Sequence, residues 1–172
     1  MNNKEDFRIG ASSVDGLDDA SLAWAVIEPL WDSVDLSKAK AVLTLLSHVT
    51  PGQRALIAVD LCQKEVRNGG FRQFLENNTG LLAEEALKGF RLIGAHPYGD
   101  LLEKVLAIFP RGQVPINRSA RMKLLRAVPE GRRFQLFDSL DEQFYGLLGS
   151  SENDLEKFRA KYVRTHPDEF FR

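Results

Sequence analysis

The sequence predicts an all-α protein, an irregular multi-helix bundle of about seven or eight short helices with no significant sheet. Three observations carry that prediction. Apolar residues recur at three- and four-residue spacing along most of the chain, and helix start and stop signals punctuate them at short intervals. No segment shows sustained strict alternation closed by turn pairs, the pattern of half-buried strands.

In chain order, residues 1–17 are polar and aperiodic, and are expected to form a mobile N-terminal arm that adds little to the core. Residues 18–172 are expected to be a single all-α domain, a length sufficient to bury a core without staples. Leu22 to Val34 has helical spacing through Leu22, Val26, Leu30 and the two tryptophans, broken by Pro29. Ser37 to Leu46 reads as a second helix. The clearest start is T-P-G-Q at 50–53, where Thr50 caps, Pro51 fits the first turn and Gln53 completes a capping box. That helix is expected to stop at Gly69-Gly70, followed by a short helical turn over 71–78. Further helices are predicted over 82–94, from Pro97 to Phe109, from an Asn117 cap to Val128, and over 137–148. The last is predicted to start at Ser151, with Asp154 as a weak capping-box partner, and to end before Pro167.

Several chemistries lack sequence support. The only cysteine, Cys62, lies in line with Ala55, Val59 and Val66 and is expected to be a buried, inert thiol; no disulfide is available, which suits a reducing compartment. The histidines His48, His96 and His166 stand far apart beside turns or helix ends, so no metal site is predicted. There is no phosphate-cradling loop, dinucleotide fingerprint or nucleophile elbow, and no cofactor or catalytic constellation is predicted. The N-terminus carries acids where a signal peptide has its apolar stretch, and no run is long enough to span a bilayer, so a cytoplasmic location is expected.

The net charge of −1 conceals a segregation: residues 1–35 carry −6, residues 36–135 carry +8 and residues 136–172 carry −3. Two surfaces for partners follow. The basic stretch 111–133, with Arg118, Arg121 and Arg126 at its centre, could meet the phosphates of a nucleic acid. The acidic groups Asp18, Asp19, Asp32, Asp138, Asp141 and Glu142 could instead face a basic protein.

The most specific local pattern is E-V-R-N-G-G-F-R-Q-F-L-E-N at 65–77. On a helical wheel Glu65 falls inside the apolar arc, between Ala58 and Leu61. A carboxylate there must find donors, and the glycine-turn amides, Asn68 and Arg91 are the candidates. Glu65, Asn68, Gly69, Gly70, Gln73 and Asn77 then pin a helix corner while Phe71 and Phe74 plug the core. The other reading is a polar binding notch or enzymatic site built on Glu65, Asn68 and Gln73.

With this motif, A-L-K-G-F-R-L-I-G-A at 86–95, L-D-E-Q-F-Y at 140–145 and Y-V-R-T-H-P-D-E-F at 162–170, the chain resembles the helical domain named after the DNA-mimic proteins. The resemblance implies an all-α fold, a homodimer, and surface carboxylates that imitate DNA phosphates and occupy a DNA-binding protein. The reading reached is a non-enzymatic protein-interaction module. Nucleic-acid binding through 111–133, or a ligand site at Glu65, is the alternative.

Overall fold

The computed structural model describes residues 6–172, and the first five residues of the expected arm lie outside it. The helices are α1 (Asp19–Ala25), α2 (Glu28–Ser33), α3 (Ala39–His48), α4 (Pro51–Glu76), α5 (Ala83–Leu92), α6 (His96–Leu106), α7 (Arg118–Ala127), α8 (Glu130–Leu148) and α9 (Leu155–Thr165). Among the described residues the only β pairing is one isolated parallel bridge, Ile9 with Phe171. The fold is therefore an all-α multi-helix bundle, and none of these helices is long and apolar enough to cross a membrane.

α4 is the axis, with α5, α7, α8 and α9 packed around it. From Ala55 to Gln63 every residue is buried, so this stretch has no solvent face, as expected of a helix enclosed on all sides. Its start is the predicted capping box: Thr50 Oγ1 accepts from the Gln53 N–H while Gln53 Oε1 accepts from the Thr50 N–H. Enclosure obliges the polar side chains of α4 to find partners. Asp60 and Gln63 do so with Arg159 of α9, which donates to Asp60 Oδ1 (3.2 Å) and Gln63 Oε1 (2.5 Å) and is itself buried. Cys62 is fully buried in the same stretch, and burial pushes its thiol pKa up.

Local signals set most boundaries. Pro29 stands at the second position of α2, so the break falls at Val26–Ile27 ahead of it. α5 ends in a left-handed Gly94 (φ 78°), with Ala95 N–H returned to Phe90 O and Gly94 N–H to Arg91 O.

Two boundaries differ from expectation by more than three residues. α8 starts at Glu130 rather than 137, because Pro129 supplies a start signal and Arg133 ties the first turn back to Leu125 O. α9 starts at Leu155 because Asp154 itself caps it, accepting from Glu156 N–H. The described part of the expected arm is also more engaged than its polarity suggested. Phe7, Ile9, Val14 and Leu17 pack against the core, and Ile9 exchanges backbone bonds with Phe170 and Arg172.

Candidate functional site

The corner at Gly69-Gly70 organises the polar groups of the 65–77 motif. Both glycines leave helical geometry, Gly70 with φ 75° and ψ 178°, so α4 halts and restarts at Phe71 in a new direction. The restarted turn needs an acceptor for its first amide, and α8 supplies it: Asp141 Oδ1 accepts from Phe71 N–H at 2.8 Å. A Cβ on Gly70 would lie 2.0 Å from Asp141 Oδ2, so Gly70 admits the cap by lacking one. Burial raises the Asp141 pKa, against the lowering effect of the Phe71 bond, and Asp138 adds to the rise. Tyr145, one turn along α8, donates to Val66 O just before the kink. Phe71 then packs edge-on to Phe144, with ring centroids 5.3 Å apart, and Phe71 and Phe74 are both fully buried.

The change of direction brings the second half of the motif back over the first. Glu65 accepts from Gln73 Nε2 (2.9 Å), Asn77 Nδ2 (2.9 Å) and Thr79 Oγ1 (2.7 Å). Glu65 is half-buried, and its donors are not those expected. Asn68 is exposed, and Arg91 pairs with Asp100 and Glu103. The reason is the kink: it aims Gln73 across Gly69, whose absent side chain leaves the space. Thr79, buried at the start of the next turn, carries no sequence signal that would single it out. Both carboxylate oxygens are therefore engaged inside the corner. Glu65→Ala is expected to lower stability by about 1–3 kcal/mol, because three donors lose their acceptor. Urea unfolding at constant m measures it, and a loss below about half a kcal/mol would show the corner stands without this carboxylate.

Arg121 is the principal correction to the expected basic surface. Its guanidinium is fully enclosed and donates to Leu75 O (2.6 Å), Asn77 O (2.6 Å), Pro115 O (2.7 Å) and Ile116 O (3.2 Å). It caps the carbonyl end of the restarted segment, where helix carbonyls carry partial negative charge. Burial lowers its pKa, and Arg118 lowers it further. A signal existed in the sequence: Arg121 shares one stripe of α7 with Leu125. Arg118 spends its Nε on Glu76 O. Of the three central arginines only Arg126 is exposed with no hydrogen bond or ion pair among the described residues.

The acids divide similarly. Asp18 is exposed and caps α1, accepting from Ser21 N–H, and Asp19 pairs with Arg164. Asp32, Asp138 and Glu142 are exposed, with no ion pair among the described residues. Asp141, expected on the surface, is turned inward to the corner for the reason given above. From Ile9 to Ser37 the chain has six acids and no lysine, arginine or histidine. Among the described residues no three histidine, cysteine, aspartate or glutamate side chains converge in a way that could hold a metal ion.

A family model described as DMP19-like protein matches residues 47–166. No curated protein and no solved structure matches the chain.

Proposed function

From the premise that this chain belongs to the DMP19-like family, we propose that it is a non-enzymatic interaction module whose exposed carboxylates occupy the basic surface of a DNA-binding protein. The observation that carries this reading is the fate of the two charge sets. The centre of the basic segment is interrupted, with Arg121 in the interior and Arg118 partly bound to a carbonyl, although Arg111, Lys123, Arg126 and Arg132 stay exposed; Asp18, Asp32, Asp138 and Glu142 remain at the surface within regions of net negative charge. A near-neutral chain therefore still presents an acid-only stretch over Ile9–Ser37 to solvent-borne cations. Assembly in pairs, and a cytoplasmic setting, belong to the same proposal.

The motif at Glu65 supports this reading by its chemistry. Glu65 lines an open depression, but both its oxygens accept hydrogen bonds from Gln73, Asn77 and Thr79, so the corner is read as a brace and not as a catalytic centre.

The test is competition. The immobilised protein should retain a component of a heparin-binding protein fraction, and duplex DNA should elute it. Reversing Asp18, Asp32, Asp138 and Glu142 to lysine should weaken retention roughly tenfold or more, since exposed pairs contribute up to about 1 kcal/mol each. Direct, steeply salt-dependent binding of random duplex DNA by the protein itself would overturn the proposal in favour of a nucleic-acid binder. Retention indifferent to both DNA and charge reversal would overturn it as well.

A further inference from the structure

Both tryptophans of the chain meet at one place, and a cation sits between them. Trp24 of α1 and Trp31 of α2 have ring centroids 6.3 Å apart at an interplanar angle of 42°. The Lys64 ammonium lies 4.4 Å from the Trp24 ring and 4.1 Å from the Trp31 ring. It also pairs with Asp60 Oδ2 at 2.9 Å, the oxygen that accepts from Trp31 Nε1 at 2.9 Å. Two aromatic faces and a carboxylate around one ammonium are the elements that recognise alkylammonium ligands.

We propose that Trp24, Trp31 and Asp60 form a receptor for a single alkylammonium group, filled in the free protein by Lys64 and, in a complex, by a lysine of the basic partner. That the cation is donated by a partner's lysine rests on the function proposed above; the receptor itself does not. Three observations make Lys64 an exchangeable occupant. Its side chain is 45% exposed, so it can leave without crossing the core. Asp60 keeps Arg159 and the Trp31 indole as partners when Lys64 departs, so no buried charge is stranded. Trp24 is 40% exposed, and Trp31 and Lys64 line an open depression of about 480 Å3 through which a second side chain can approach.

The surroundings favour a cation from outside. Glu28 and Asp32 are exposed on α2, and no basic residue occurs between Arg8 and Lys38. Geometry selects ammonium over guanidinium. A guanidinium plane stacked on both rings needs parallel rings about 7 Å apart, whereas this wedge is tilted and narrower.

Lys64→Met empties the site while keeping the aliphatic stem, and the two indole N–H resonances report on it directly. Titrated at constant ionic strength with n-butylammonium chloride, this variant should show saturable shifts of both resonances, and n-butanol should produce none. The wild type should need about tenfold more ligand, because its own ammonium must first be displaced. Trp24→Ala placed in the Lys64→Met background should abolish the response. A lysine tetrapeptide should bind the emptied site more tightly than its arginine counterpart, and the reverse order would overturn the ammonium assignment. Lys64→Gln serves as a second emptied form if the methionine variant folds poorly. No saturable, ammonium-specific shift in a folded emptied variant would overturn the receptor. Ammonium binding without any DNA-displaceable partner would instead overturn the partner reading and leave the receptor in place.

Discussion

Arg121→Met is expected to cost roughly 3–5 kcal/mol of stability, the range found when a buried, fully bonded charge is removed and its partners are left behind. Methionine preserves most of the apolar stem, so the loss reports on the guanidinium. Four carbonyl oxygens, on Leu75, Asn77, Pro115 and Ile116, lose their donor, and three of those bonds are 2.7 Å or shorter. Among the described residues no carboxylate pairs with this charge; the carbonyl end of the segment after the kink faces it instead. Lysine should rescue little, because one ammonium cannot replace a planar fork that reaches carbonyls on two sides. Denaturant unfolding of Arg121→Met and Arg121→Lys measures both. A change within about half a kcal/mol is what a solvated helix face gives, and it would restore Arg121 to the surface.

Gly70→Ala is expected to cost about 2–4 kcal/mol, from two separable sources. With φ 75° and ψ 178° the backbone lies where essentially only glycine goes, which penalises any Cβ by about 1–3 kcal/mol. The remainder comes from the collision with the Asp141 carboxylate, which must swing away and give up the Phe71 amide. Gly94 provides a comparison: its φ is 78° with open space around it, so Gly94→Ala should show a positive-φ cost without any collision. Combining Gly70→Ala with Asp141→Ala should then be less damaging than the two single losses added together, because the collision disappears. Strict additivity would mean the cap and the glycine do not interact.

These two residues show how far the sequence could be read. The break at Gly69-Gly70 was legible because paired glycines end helices by local backbone preference. Its purpose was not, since the Asp141 cap comes from 70 residues further along. Likewise the capping box at Thr50 and Gln53 is a contact within one turn and was readable letter by letter. The place of Glu65 in the apolar arc followed from helical periodicity, but its donors depend on where the chain goes after the kink. Gln73, Asn77 and Thr79 become its neighbours only once that direction is known. Arg121 escapes a local reading because a run of basic residues has the composition of a solvated face, and its one apolar neighbour a turn away, Leu125, is a weak signal. Asp141 escapes it likewise, because it stands between the exposed acids Asp138 and Glu142. Charge type predicts exposure on average, and long-range packing decides the exceptions.

The pairing of α1 with α9, reinforced by the Asp19–Arg164 ion pair and the backbone bonds of Ile9 to Phe170 and Arg172, has a consequence for synthesis. The partner of α1 is made about 140 residues later, a delay of about 7–28 seconds at translation rates of about 5–20 residues per second. Throughout that interval α1, whose Leu22 and Ala23 are buried in the finished protein, lacks the helix it packs against. The nascent chain therefore carries a sticky N-terminal patch until its last helix emerges. The acids interspersed from Asp15 to Asp35, with no base among them, keep that waiting segment apart from its like-charged copies on neighbouring ribosomes.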